Sequence, residues 1–346
     1  MIISQMISIR PIGQQFNLLS MNSLSIFTLK ALRKLYAKTF GGYQFPPLQR
    51  EEDPDKASET IYQLLSQDKP CMIARFGANE LNAVINYLGV NSRQHSICKF
   101  IQGKQSEWWW NKNIMYNMQN NAGFFPATPW NMQRFGKMML EDTKEVDLLG
   151  SWLKQEYYFY NNKNIQVVKL VLLEPYHSKN PWSRILQNKK ILVIHPFAEL
   201  IKSQYKNREY LFKDSNVLPD FELQTLQAVQ SLGGSNDKFQ TWFDALQWMK
   251  DEMDKIDYDI CLIGCGAYGF PLAAHAKRKG KKAVHLGGAL QLLFGIKGKR
   301  WEMTNYPAIW NLPQNAYISL FNEYWVRPSI NETPSNASNV EGGCYW

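Results

Sequence analysis

Three short stretches carry residues able to hold an anionic ligand: ARFGANE (74–80), VIHPFAE (193–199) and LIGCGAYGFP (262–271). Each runs from an apolar segment into a more polar one, as a strand does where it gives way to a loop. In the first, Arg75 offers a guanidinium suited to grip a diphosphate through paired, charge-assisted hydrogen bonds. Gly77 lets the chain turn. Glu80 falls in the first turn of the helix that follows, where a carboxylate either does chemistry or compensates the helix dipole. In the third, Gly264, Gly266 and Gly269 mark a strand-to-helix turn. Glycine there lets the backbone approach a ligand, and the helix N-terminus presents N–H groups to phosphate. A turn that only packs its helix closely has the same spelling, but Gly287 and Gly288 at the next strand end add a second glycine pair. The turn would also suit NAD(P) or S-adenosylmethionine. In those folds, however, the next strand ends on an acidic residue that grips the ribose, and here KAVHLGG ends at His285 with no Asp or Glu.

Other candidates have two readings each. His195 ends an apolar run beside a proline; it either touches the ligand and exchanges protons near neutral pH or is a hydrogen-bonded structural histidine. Glu174, in LLEPYHSKNPWS, also follows an apolar run and is the leading choice for a base that deprotonates an acceptor hydroxyl. Trp182 and the run Trp108–Trp110 have rings for sugar faces or for packing. The cluster KRKGKK (277–282) reads as a solvated helix end. Lys297, Lys299 and Arg300, in GIKGKRW, follow the second glycine pair and are placed to reach phosphate.

These residues need a scaffold that brings strand ends together. The apolar runs CMIARF, VDLLGSW, KKILVIHPF, YDICLIG and KKAVHLGG read as strands, with another inside NIQVVKLVLLEPYH. Helical spacing separates them, in DKASETIYQLLSQ, NELNAVINYLGV, AELIKSQYKNREYLF, FDALQWMKDEMDKI and GAYGFPLAAHAKRKG. Asn79 is the expected N-cap of the second of these helices. Strands alternating with helices give an α/β domain with a mainly parallel, doubly wound sheet and helices on both faces. In such sheets ligands bind beyond the carboxyl ends of the strands. The stretch 100–140 reads as irregular and aromatic, with one or two short helices. The expected organisation is an N-terminal leader and amphipathic helix (1–45), one domain (46–326) and a disordered tail (327–346) that is rich in Pro, Ser and Asn. The tail carries sequons at Asn331 and Asn336.

The formal charge of +9 over 346 residues favours an anionic partner: a nucleotide, a phospholipid surface or nucleic acid. No nucleic-acid-binding module accompanies the charge, so nucleic acid is not expected as a partner. The five cysteines lack the spacing of a zinc site and read as reduced thiols, which suits a cytoplasmic protein. No run reaches the roughly 18 apolar residues of a membrane span. SLSIFTLKALRKLYAKTF (23–40) places Ile26, Leu29, Leu32 and Tyr36 on one side, with Lys30, Arg33, Lys34 and Lys38 largely elsewhere. It is either a docked helix or a peripheral contact with anionic lipid at the inner face of the cell membrane.

Taken together, ARFGANEL, ILVIHPFAELIKSQY, FDALQWMKDE and the long block from DYDICLIGCGAYGFP to GIKGKRW resemble the GT-D-type glycosyltransferases, in particular a bacterial polysaccharide-locus branch. The resemblance spans roughly residues 58 to 302. It implies a Rossmann-like domain that binds a nucleotide diphosphate sugar, UDP-linked, and transfers the sugar to a glycan or lipid-linked glycan during surface polysaccharide assembly. Joined to the strand-end residues read above, it gives an expected donor site of Arg75, Phe76, Gly77, His195, Gly264, Gly266, Tyr268, Gly269, Gly287 and Gly288, with Glu80 and Glu174 as the candidate catalytic carboxylates. The family's Asp-x-Glu motif is associated with Mn²⁺ or Mg²⁺. Here Ala78 stands where its Asp is expected and Asn79 where a Gly is expected, and Glu80 alone matches. Loss of one oxygen ligand puts the metal in question. Two alternatives stay open: a non-catalytic nucleotide-sugar-binding or assembly domain, and a Rossmann-like enzyme using S-adenosylmethionine or NAD(P).

Overall fold

A computed structural model describes residues 21–160, 165–231, 236–329 and 343–346. Seven strands form one sheet: β1 (Cys71–Ala74), β2 (Leu148–Ser151), β3 (Gln166–Lys169), β4 (Lys190–His195), β5 (Glu222–Gln227), β6 (Ile260–Ile263) and β7 (Lys282–His285). Their order is β3-β2-β1-β7-β6-β4-β5, and every pairing is parallel. The four central strands are continuous apolar runs because helices cover both faces of the sheet.

Residue alternation along each strand divides the core into two layers. Met72, Ala74, Leu192, Ile194, Cys261 and Ile263 point into one layer; Cys71, Ile73, Ile191, Val193, Ile260 and Leu262 point into the other. The main helices are α1 (Ser23–Phe40), α2 (Pro54–Ser66), α3 (Ala78–Asn91), α4 (Lys112–Asn121), α5 (Pro129–Asp142), α6 (Ala198–Tyr205), α7 (Trp242–Met253) and α8 (Gly269–Arg278). Helices α3, α5, α7 and α8 bury residues in the first layer, and α2 and α6 in the second. The doubly wound α/β architecture read from the sequence is therefore present.

Local chemistry sets the helix starts. Asp53 caps α2, accepting from the backbone N–H groups of Asp55 and Lys56, with Pro54 at the first helical position. Thr128 and Pro129 start α5 in the same way, and Thr241 and Asp244 form a reciprocal capping box on α7. Helix α3 begins at Ala78 on Gly77, without a side-chain cap, so Asn79 lies inside the helix rather than capping it.

Three other expectations change. The stretch 100–140 is mostly helical, through α4 and the 14-residue α5. Strand β5 does not stand out in the sequence; it is an edge strand with exposed polar positions, so no apolar run marks it. In the expected disordered tail, Gly343–Trp346 packs against the body of the domain, while the sequons Asn331 and Asn336 lie outside the described residues.

Helix α1 buries Leu29 against Phe100 and Trp109, with Ile26 packed alongside. Leu32, expected on that inner side, is exposed, as are Leu24, Phe27, Leu35 and Phe40. Among the described residues no helix is long and apolar enough to cross a membrane.

Candidate functional site

Because all strands are parallel, their carboxyl ends lie along one edge of the sheet. Two crevices open there. After β1 the chain enters α3 in one layer, whereas after the neighbouring β7 it packs Leu290, Leu292 and Leu293 into the other. After β4 it enters α6, and after the adjacent β6 it enters α8 on the opposite face. Such divergences leave room for a ligand. A single cleft of about 590 Å³ spans both, lined by residues from the ends of β1, β2, β4, β6 and β7 and from the segments after β3 and β5. That volume lies within the range of small-ligand pockets.

Arg75 projects from the end of β1 into this cleft. Its guanidinium lies over the Trp152 ring, 5.5 Å from the centroid. It also lies beneath Gly287: a Cβ there would stand 3.4 Å from Arg75 Nη1. Gly287 has φ +65°, a conformation that favours glycine. No carboxylate or carbonyl among the described residues takes a hydrogen bond from the Arg75 side chain. Arg300 also lines the cleft, so two guanidinium groups border it.

Glu80 lines the cleft beside Arg75, with its carboxylate folded over Gly77 so closely that a Cβ on Gly77 would collide with it. Glu174 also lines the cleft and is largely buried. Its Oε2 accepts from Tyr176 Oη at 2.7 Å and Tyr317 Oη at 3.0 Å, with His177 Nε2 at 3.1 Å. Both phenols are pushed well above their ordinary pKa, first by burial and then by the Glu174 charge, so they remain donors. All three of these contacts fall on Oε2, which leaves Oε1 for a ligand.

His195 ends β4 at the floor of the cleft. Burial holds its pKa down, to about 3. Its Nδ1 accepts from the Phe197 backbone N–H at 3.0 Å, so the neutral ring carries its proton on Nε2. The residue is a neutral donor near pH 7, and the expectation of proton exchange near neutrality is corrected. Gly264 lies against it: a Cβ there would stand 2.9 Å from His195 Cδ2 and 2.5 Å from the Gly287 carbonyl. Gly266, Gly287 and Gly288 also line the cleft, as does Tyr268, whose ring stacks on Trp242 at 4.8 Å.

Two expected donor contacts are elsewhere. Phe76 is buried in the core, stacked on Phe270 at 4.7 Å, because side chains alternate along the extended β1 end. Gly269 is the contact point for the buried His285 ring, a packing role. Trp182 is buried with Nε1 donating to Leu173 O, and Trp109 packs on Phe100, so neither faces the cleft. The cluster at 277–282 is spent on structure: Lys277 pairs with Asp147, Arg278 with Asp142 and Glu145, and Lys279 with Asp254. Of the basic trio in GIKGKRW, Arg300 alone is among the lining residues; Lys297 lies over the Phe321 ring.

The cleft adds residues that the motif reading missed. Trp152 follows β2, and its Nε1 donates to Phe76 O at 2.9 Å. Glu156 is fully buried behind it, taking Ser151 Oγ at 2.5 Å and the Trp152 N–H at 3.1 Å on one oxygen. Burial raises its pKa to about 7, against those hydrogen bonds and the nearby Arg75 charge. The strand end after VDLLGS was the available signal for Trp152, since the neighbouring β1 ends in ligand-type residues. Tyr306 and Trp310 extend the aromatic wall, and Trp310 lies 6.1 Å from Trp152.

Ala78 supplies no oxygen beside Glu80, and no group of three or more His, Cys, Asp or Glu able to hold a metal occurs among the described residues. Compared with protein-family models, with curated proteins and with solved structures, the chain finds no match in any of the three.

Proposed function

We propose that the cleft binds a nucleotide diphosphate sugar, UDP-linked, and that the protein transfers the sugar to a hydroxyl of a glycan or lipid-linked glycan. The observation that carries this reading is Arg75: a cleft-lining guanidinium, backed by an indole and set against Gly287, with no carboxylate or carbonyl among the described residues taking a hydrogen bond from it. An anion with several oxygens satisfies it best, and a diphosphate reaching toward Arg300 would use both cationic groups. The glycine-lined ends of β6 and β7 admit the phosphates closely, and Trp152, Tyr306 and Trp310 offer flat faces to a sugar or base.

In this reading the acceptor oxygen attacks the anomeric carbon as the bond from that carbon to the diphosphate oxygen breaks. The electron pair leaves with the nucleotide diphosphate, whose charge Arg75 and Arg300 stabilise. The acceptor proton passes to Glu174 Oε1. His195 donates a hydrogen bond from Nε2, and Glu80 accepts from donor hydroxyls at the β1 end. The resemblance to GT-D-type glycosyltransferases agrees with this assignment; no step uses a metal. A second reading, a nucleotide-sugar-binding domain without turnover, is favoured by Ala78, since the expected carboxylate pair is incomplete.

The exposed Leu24, Phe27, Leu35 and Phe40 of α1, interspersed with Lys34 and Lys38, suit a peripheral contact with anionic lipid, where a lipid-linked acceptor would lie. Flotation with anionic liposomes tests it: loss of recovery on removing residues 1–40 supports the contact, and equal recovery refutes it.

A thermal-shift screen with UDP, GDP, S-adenosylmethionine and NADH, each with and without Mn²⁺, tests the ligand class. Stabilisation by UDP is expected. A response to S-adenosylmethionine or NADH alone would overturn the nucleotide-sugar reading.

A further inference from the structure

The segment Gly343–Trp346 lies in the wall of the cleft, and its seat is built for it. Three consecutive backbone carbonyls are received: Cys344 O by the Arg300 N–H at 3.0 Å, Tyr345 O by Gln291 Nε2 at 3.1 Å and Trp346 O by the Lys299 N–H at 3.3 Å. Gln291 is fully buried, and its amide also reaches Ile296 O at 3.3 Å, so a core side chain holds this contact. Arg300 adds side-chain bonds, Nη1 to Tyr345 Oη at 3.3 Å and Nη2 to Cys344 Sγ at 2.8 Å, and its guanidinium covers the Tyr345 ring at 4.7 Å.

Two glycines make the space. A Cβ on Gly288 would collide with the Tyr345 ring, and one on Gly298 would stand 3.0 Å from both the Cys344 and Tyr345 carbonyls. The Trp346 ring meets Phe197, just past the β4 end, at 6.3 Å and a steep angle. Cys344, Tyr345 and Trp346 all line the cleft, and about 590 Å³ remains open with them in place. A plug would fill that space; this segment bounds it.

We propose that Gly343–Trp346 is a strap forming part of the ligand site, with Tyr345 and Trp346 contacting the bound nucleotide sugar. The strap joins the glycine end of β7, which borders Arg75, to Phe197 beside His195. The glycine end of β7 is one of the two that the phosphates are read to approach, and Arg300 is shared between strap and ligand. The contact with a nucleotide rests on the reading given under Proposed function; the seating of the strap does not.

Cys344 is a reporter for both parts. It is buried, whereas Cys98 is exposed. In a Cys98→Ser background, maleimide labelling of Cys344 is expected to be at least about tenfold slower than that of Cys98 in the unaltered chain, since it must await local opening. Gly288→Ala and Tyr345→Ala, which crowd and empty the same seat, are each expected to speed it. Labelling at the Cys98 rate, or rates unmoved by both substitutions, would overturn the strap. Saturating UDP is expected to slow Cys344 labelling further, and Tyr345→Ala and Trp346→Ala to weaken UDP binding several-fold. UDP that raises the melting temperature but leaves labelling unchanged or faster would also overturn the proposal. If UDP moves neither quantity, the nucleotide reading fails, and the ligand-free labelling rates alone decide the strap.

Discussion

Arg75 and Trp152 face one another at the ends of the paired strands β1 and β2, the guanidinium 5.5 Å from the ring centroid. The indole N–H is fixed on the carbonyl of Phe76, the residue after Arg75, at 2.9 Å. One side chain thus positions both the charged group and the backbone that carries it. A cation–π contact of this kind is worth about 0.5–2 kcal/mol. Trp152→Ala is accordingly expected to weaken UDP binding by roughly 2- to 30-fold, and Trp152→Phe, which keeps a ring but loses the N–H, by less. Calorimetric titration of both variants checks this, and wild-type affinity in Trp152→Ala would remove the indole from the site.

The proposed reading gives Glu174 and Glu80 separable roles. Glu174→Gln keeps an oxygen to accept from Tyr176 and Tyr317 but cannot take a proton. It is expected to bind UDP about as the wild type does while sugar transfer, or donor hydrolysis in its absence, falls by roughly 10²–10⁴-fold. Glu80→Gln is expected to weaken donor binding with a smaller loss of turnover. Single-turnover and binding measurements on both distinguish them; the reverse pattern would exchange the roles.

The buried carboxyl of Glu156 gives a pH signature. Its pKa is raised in the folded state, from 4.5 to about 7, by burial. Its stabilising contribution is therefore fully present below about pH 4.5 and is lost as pH rises through about 7. The shift corresponds to about 3 kcal/mol. Urea unfolding of wild type and Glu156→Gln across this range is expected to show the wild type losing stability relative to the variant as pH rises. Parallel profiles would mean that the carboxyl is hydrated after all.

Gly264 tests how tightly the β6 end is packed. An alanine Cβ would stand 2.5 Å from the Gly287 carbonyl and 3.0 Å from Leu290 Cβ, neither of which yields freely. Gly264→Ala is expected to cost about 1–3 kcal/mol, as overpacking does, and to weaken UDP binding by shifting Gly287 over Arg75. Gly42→Ala, where the nearest atom is 3.9 Å away, serves as the control and is expected within about 0.5 kcal/mol of wild type. Melting curves of the two variants decide the point.

Much of the scaffold was legible because a doubly covered parallel sheet writes its strands as apolar runs. Residues 71–74, 190–195, 260–263 and 282–285 are such runs, and the ligand-type residues after them follow from topology. Strand β5 was hidden because an edge strand can keep polar residues. Helix α5 was hidden inside an aromatic stretch, although its Pro129 stands at the first helical position, where proline fits. The candidate site was legible where it is local, at Arg75, Gly77, Glu80, His195, Gly264 and Gly287. What joins distant segments left no local mark: Tyr317 on Glu174 is 143 positions away. The strap residues Cys344–Trp346 follow a polar stretch that gives no sign of their seat. Phe76 and Gly269 sit inside the motifs yet pack against the core, Phe76 on Phe270 and Gly269 on the His285 ring, which the local sequence does not record.

The central claim is that Arg75 holds a nucleotide diphosphate. Calorimetric titration of UDP into the wild-type protein and Arg75→Ala, at one pH and salt concentration, tests it most directly. Charged hydrogen bonds contribute about 1.5–3 kcal/mol, so saturable binding by the wild type and a loss of roughly 10- to 150-fold in the variant are expected. Equal affinity in the two proteins, or no binding of UDP by the wild type, would contradict it.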